Sequence, residues 1–249
     1  MPAFTTPGPI TAHVAAGSGS IRLIASERAD TVVQVRPRDE SRTADARSAD
    51  HARIDYANGR LTVEPAKSGF LGYRIGAVDI VVELPAHSRI GVVVASADVR
   101  AEGEFADFRL DSASGRLDLQ SISGTAKIST ASGDAAIADL KGDVKFRAAS
   151  GSLSVDRLSG TANVNTASGS VTVATAVSGA VVAHTGSGDV EVGIPEGTAA
   201  QLDIMTGSGT VTNRMQPSDG PEPGDDTVRV QVRTGSGDVD IHRSLTAYA

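Results

Sequence analysis

The chain has 249 residues, a formal net charge of −7, 40% apolar residues and only 3% aromatic ones, with no cysteine and no tryptophan. The lack of cysteine excludes disulfides, thiol nucleophiles and thiolate zinc sites. The negative charge, with no Lys/Arg cluster along the chain, argues against nucleic acid as a partner, and the scarcity of rings argues against aromatic carbohydrate or base-stacking platforms.

The opening MPAFTTPGPITAHVAAG lacks the basic and continuous apolar regions of a secretory signal. No apolar run approaches the ~20 residues that span a bilayer. The expectation is a cytoplasmic protein with no direct membrane insertion. Period-two apolar patterning predicts strands over Ile21–Ala25, Thr31–Val35, Arg60–Val63 and Val78–Leu84. The polar, Ala-rich stretch Ser41–Ile54 predicts one short helix, and Asn58-Gly59 predicts a turn before Arg60. Residues 1–87 therefore read as an N-terminal cap with the first strands, covering edges that would otherwise pair with other chains. Tyr56, Phe70 and Tyr73 are the aromatic residues closest to one another, and all lie in this part.

Residues 88–194 carry a nine-residue repeat. Gly115, Gly124, Gly133, Gly142, Gly151, Gly160 and Gly169 follow one another at a spacing of nine. One inserted residue then shifts the next to Gly179, and Gly188 resumes the spacing. Ser precedes nearly every one, Lys141 being the exception. The second and fourth residues after each Gly are apolar, as in Leu117/Leu119, Val144/Phe146 and Leu153/Val155, around a mostly polar one. That alternation marks a strand with one buried face. The Ser-Gly pair is expected to form the corner, with Gly at positive φ and Ser bonding back to the turn backbone.

A second period of eighteen lies on the first. Ile122, Leu140 and Leu158 alternate with Ala131, Ala149 and Ala167 at the seventh position after Gly. The expectation is one coil of eighteen residues with two short strands, equivalent strands stacking in parallel ~4.8 Å apart. The size alternation suggests a narrow core in which a large side chain on one wall meets a small one on the other. Phe108 and Leu110, and more loosely Ile90 and Val92, extend the register upstream.

Residues 195–243 hold less regular repeats. Thr206-Gly207-Ser208-Gly209 and Thr234-Gly235-Ser236-Gly237 echo Thr185-Gly186-Ser187-Gly188 across longer gaps. One gap, 216–226, is a Pro/Gly/acidic loop expected to be mobile. Residues 244–249 form a tail.

The Thr-Ala-Ser-Gly corners at Thr130–Gly133 and Thr166–Gly169 carry a family resemblance. So do Ile194-Pro195-Glu196-Gly197-Thr198 leading to Leu202-Asp203-Ile204, and the closing Val232–Ile241. From Ile21 to Arg243 the chain resembles the bacterial toast-rack family, a β-strand-repeat domain of unknown function also grouped with adhesins. The resemblance implies a right-handed β-helix-like fold and no known catalytic residues. Some family members resemble parts of envelope-stress systems joined to membrane segments.

The tempting chemistry is thin. His13, His51, His87, His184 and His242 are dispersed, with no ligand spacing among them, and no nucleophile elbow, His-Glu-x-x-His or phosphate loop occurs. Calcium β-rolls need Gly-Gly-x-Gly-x-Asp, whereas here Asp follows the corner Gly only at Asp134, Asp143, Asp189 and Asp238. At a period of eighteen, Asp118 aligns with Ala136, Ser154 and Thr172, so no acidic stripe of a polysaccharide lyase or hydrolase emerges. Lys127, Lys145 and Asn163 form a mild polar stripe. Thr130 and Thr166, interrupted by Arg147 and Ala148, do not form a regular ice-binding ladder.

The expectation is an all-β, single-stranded right-handed β-helix (β-solenoid). Catalytic, cofactor and metal sites are expected to be none, and the chain is read as no enzyme. It is read as a scaffold or protein-interaction module, engaging an unknown protein partner along one face or associating with itself end to end. The alternative is a glycan-binding or polysaccharide-active β-helix.

Overall fold

A computed structural model describes residues 2–65, 76–216 and 226–244. The chain is all-β, and it divides into two compact units, residues 1–123 and 124–249. That division falls inside the regular repeat, away from the boundaries at 87 and 194 drawn from the sequence. Of the segments singled out above, most of the acidic loop 216–226, the tail 245–249, and Phe70 and Tyr73 lie outside the described residues.

The first unit runs β1 (Ala3–Thr5), β2 (Thr11–Ser26), β3 (Asp30–Pro37), α1 (Thr43–Asp50), β4 (Arg53–Ala57), β5 (Arg60–Glu64), β6 (Ala77–Pro85), β7 (Arg89–Phe105), β8 (Asp107–Ser114) and β9 (Leu117–Ile122). All four strands predicted here form, as does the short helix. Asn58 and Gly59 both take positive φ, 51° and 73°, and join β4 to β5 as a tight antiparallel hairpin. β2 is a complete coil in parallel register with β7, Ala12 beside Ile90 and Ile21 beside Val99. Its other edge is covered by β5 and β6. Beyond β6 the pairing turns antiparallel, through β3 and then β1. α1 packs on β3 and β6. Its buried Asp45 carboxylate accepts from the Ala77 N–H at 3.0 Å, and the Ser48 hydroxyl from the Gly76 N–H at 2.8 Å. The core here includes Leu23, Leu61, Leu84, Phe105 and Phe108, the two rings meeting edge-on at 6.2 Å.

The second unit runs β10 (Thr125–Ser132), β11 (Ala135–Leu140), β12 (Asp143–Ser150), β13 (Leu153–Ser168), β14 (Val171–Ser187), β15 (Val190–Ile194), β16 (Ala199–Ser208), β17 (Val211–Asn213), β18 (Thr227–Ser236) and β19 (Val239–Arg243). Strands pair in parallel with a register of eighteen, Ala126 beside Val144 beside Ala162 and Ala135 beside Leu153 beside Val171. Two walls result. The first comprises β10, β12, residues 161–168, residues 179–187, β18 and β16. The second comprises β11, residues 153–158, residues 171–176, β15, β19 and β17. The inserted residue is Val177: Leu158 pairs with Ala176, but Ser159 pairs with Ser178. Such an extra residue is accommodated as a bulge.

The coils do not follow chain order at the end. β18 and β19 insert between β14/β15 and β16/β17, so residues 199–213 form the outermost coil. Its inward Leu202 and Ile204 are only half-buried, whereas Val230 and Val232 one coil in are fully buried.

Two expectations about the corners are corrected. Ala131, Ala149 and Ala167 are exposed and do not oppose Ile122, Leu140 and Leu158, which are fully buried. The eighteen-residue alternation instead records two kinds of corner, one buried at the large residue and one turned outward at the Ala. Nor is positive φ the general reason for the corner Gly, since Gly151, Gly169 and Gly188 lie outside the left-handed region. A Cβ at any of these would overlap the carbonyl oxygen of the corner Gly one coil below. Close approach of stacked backbones, more than turn handedness, requires glycine there.

Candidate functional site

The corner chemistry of the second unit is a pair of ladders. Thr166, Thr185, Thr234 and Thr206 align one above another. Each hydroxyl donates to the carbonyl of a corner Gly in the adjacent coil, Gly151, Gly169, Gly188 and Gly237, at 3.2–3.4 Å. The second ladder uses the residue after the corner Gly. Asp134 accepts from the Ser152 N–H, Ser152 from Ser170, Asp189 from Asp238, and Asp238 from Thr210, at 2.7–3.1 Å. In the first unit, Asp98 accepts likewise from the Arg116 N–H. Three of the four Asp residues that invited a calcium reading, Asp134, Asp189 and Asp238, thus bind the backbone of the next coil. The corner serines Ser132, Ser150, Ser168, Ser187, Ser236 and Ser208 were expected to bond the turn, but they stand in an exposed row and the threonines do that work.

Over the Thr ladder lies an open trough of about 710 Å³. Asn165, His184, Arg233 and Met205, adjacent in register, form one side. The Thr row forms the floor, and Ala167, Gly186, Gly235 and Gly207 form the other side. Met205 is 61% exposed. Arg233 grips Asp203 through both guanidinium ends, at 2.9 and 2.8 Å, and this bonding holds the Asp203 carboxyl below the usual carboxylate range. The threonine hydroxyls of the floor are committed to carbonyls, and His184 stands in the trough wall with no carboxylate among the lining residues.

The five histidines stay apart. His13 lies over Gly91, where a Cβ would meet its ring, and His51 sits 2.9 Å from the Arg47 carbonyl. His87 faces Glu104 at 3.7 Å, and His242 faces Glu191 at 3.2 Å. Among the described residues, no three His, Asp or Glu side chains group as a metal site would require. Tyr56 stacks on Phe4 at 5.3 Å. In the first unit several outward arginines are paired: Arg22 and Arg100 share Glu102, Arg28 bridges Asp30 and Glu83, and Arg109 meets Asp111.

The sequence correctly aligned Ala136, Ser154 and Thr172 on one wall and Lys127, Lys145 and Asn163 on the other. It missed the trough, because Arg233 and Met205 reach their places only through the out-of-order end coil.

The Toastrack DUF4097 family profile matches residues 13–242. No curated protein matches the chain. Among solved structures, one from Bacteroides fragilis described as a "putative adhesin" is 13% identical, covers 96% of this chain and 95% of its own, and superposes with a TM-score of 0.55. Another, from Parabacteroides distasonis and described as a "putative lipid binding protein", is 14% identical, covers 97% and 95%, and has a TM-score of 0.57. At such identities the likeness is one of fold. With its stacked Ser-Gly repeats and a profile that spans nearly the whole sequence, the chain belongs to the Toastrack DUF4097 family.

Proposed function

We propose that the chain is a non-catalytic interaction module of the cytoplasm that engages a protein partner through its outward strand faces. The observation that supports this most is how the polar groups are used. The Thr166, Thr185, Thr234 and Thr206 hydroxyls and the Asp134, Asp189 and Asp238 carboxylates are bonded to neighbouring coils, and the trough of the second unit is open and lined by one histidine and no carboxylate. A catalytic site needs titratable groups aimed at one reacting atom, whereas a face of regularly spaced side chains suits surface recognition. The right-handed, single-stranded winding belongs to the same proposal. Parallel pairs eighteen residues apart support a coil, and parallel crossovers are overwhelmingly right-handed. An experimental structure with a left-handed path from β10 through β11 to β12 would remove it.

The test is affinity capture from native cells, separated into soluble and membrane pools. A partner protein in the soluble pool, lost on Asn165→Arg in the trough but kept on Thr172→Arg on the other wall, supports the reading. Turnover or tight binding of a polysaccharide, with no protein retained, overturns it in favour of the glycan alternative.

A further inference from the structure

Both corner ladders stop unfinished at the outermost coil of the second unit, residues 199–213. There the Thr206 hydroxyl donates to the Gly237 carbonyl, and the Thr210 N–H to the Asp238 carboxylate. By the same pattern the Gly209 carbonyl would accept from a threonine one coil further out. The Thr210 hydroxyl would accept from an N–H there, as the Ser152 hydroxyl accepts from Ser170. Neither acceptor has such a partner among the described residues. Two donors are left over as well. The N–H of a corner Gly, and of the residue two beyond it, donates to the coil above: Gly188 to the Ser236 carbonyl and Val190 to Asp238, then Gly237 to Ser208 and Val239 to Thr210. For Gly209 and Val211 no coil follows, and their N–H groups are unbonded among the described residues.

The core is open at the same place. Leu202 and Ile204 are half-buried and Val211 is 44% exposed, whereas their register partners Val230, Val232 and Val239 are fully buried. β16 pairs with β18 and β17 with β19, and neither pairs on its other side among the described residues. Sheet edges are ordinarily protected by proline or by an inward charge. β16 has neither: its inward residues are Ala200, Leu202, Ile204 and Thr206.

We propose that this edge docks a β-coil of a partner protein, added in parallel to β16 and β17 and carrying a Thr-x-Ser-Gly corner. The unfilled positions define that chemistry. Its threonine hydroxyl reaches the Gly209 carbonyl, and its corner carbonyls accept from Gly209 and Val211. Its corner must hold glycine, because a Cβ there would overlap the carbonyl oxygen of the corner Gly beneath, as it would at Gly237 over Gly188 and at Gly209 over Gly237. Apolar residues at alternate positions of the added strand cover Leu202, Ile204 and Val211. Chain continuity is not required: the edge of β18 and β19 is itself covered by residues 199–213, which precede them in sequence. The chain's own stretch 217–225 holds no aliphatic residue and no such corner. A second intact copy offers no free first coil, since the edge of β2 is covered by β5 and β6. The docking edge is separate from the outward strand faces of the proposed function, so either can fail without the other.

The probe is a fluorescein-labelled peptide with the sequence of residues 227–241, which contains the Thr234-Gly235-Ser236-Gly237 corner and apolar residues at the required positions. Titrated with the full chain, its anisotropy rises to saturation. The same peptide with Gly237→Ala binds at least about tenfold more weakly. Ile204→Lys in the protein, an inward charge on the edge, weakens binding of the unaltered peptide to a similar degree, whereas Asn165→Arg in the trough leaves it unchanged. Circular dichroism checks that the protein variants are folded, and the peptide variant decides the matter without altering the protein. Hydrogen exchange at Gly209 and Val211 slows when the peptide binds, while exchange in β12 stays as it was. Absence of saturable binding, or equal binding of the two peptides, overturns the proposal. So does protection of Gly209 and Val211 in the chain alone. If that protection faded on dilution, the edge would belong to a second copy; if it persisted, to another segment of the same chain.

Discussion

At the scale of single residues, the inward register is the strongest determinant of stability. Val155 is fully buried and Ser154 half-buried on the opposite side of the same strand. An unpaired carboxylate at Val155 costs several kcal/mol out of a total of roughly 5–15. Val155→Asp is therefore expected to unfold the protein or open it to protease, and Ser154→Asp to leave the urea midpoint nearly unchanged. Equal behaviour of the two would refute the alternation. Gly169→Ala is expected to cost about 1–3 kcal/mol, since the new Cβ overlaps the Gly151 carbonyl and the coils must separate. A denaturation midpoint equal to wild type would show that the corner relaxes freely. Inward positions such as Val155 were legible because period two distinguishes faces. Ala131, Ala149 and Ala167 were not, because a methyl group is equally at home inside and outside.

At the scale of elements, α1 shows how a short helix of mostly polar residues earns its place. It has few apolar residues to bury; what it inserts are Asp45 and Ser48, which hold the N–H groups of Ala77 and Gly76 at the entry to β6. Asp45→Ala leaves the Ala77 N–H buried without its partner and is expected to cost about 1–3 kcal/mol. Hydrogen exchange at Ala77 and Val78 should quicken while exchange in β14 stays as it was; uniform quickening would mean that the helix supports the whole unit and not one edge. The helix was legible from its composition, and the Val177 bulge from one broken interval of nine. The order of the last coils was not. Thr185, Thr206 and Thr234 open nearly identical corners, and local pattern contains no information on which corner stacks on which. That ambiguity hid the trough, which depends on β18 lying between β14 and β16.

For the whole molecule, the outward charges make stability a function of pH. Hydrogen bonding from Arg28 lowers the Asp30 carboxyl, from Arg22 the Glu102 carboxyl, and from Arg233 the Asp203 carboxyl. A carboxyl whose folded pKa lies below its unfolded value contributes stability above the unfolded value and loses it as the pH falls through the folded one. The melting temperature should therefore be level from about pH 8 to 5 and decline below about pH 4, where ordinary carboxyls take up protons. These pairs are solvent-exposed, so the decline should be shallow and should shrink further in high salt. Glu102→Gln removes one of the stabilising carboxylates in the first unit. That variant should melt lower at pH 7 and flatten the acid decline. An acid decline as steep as that of wild type would show that the pairing of Glu102 with Arg22 and Arg100 does not carry the pH dependence.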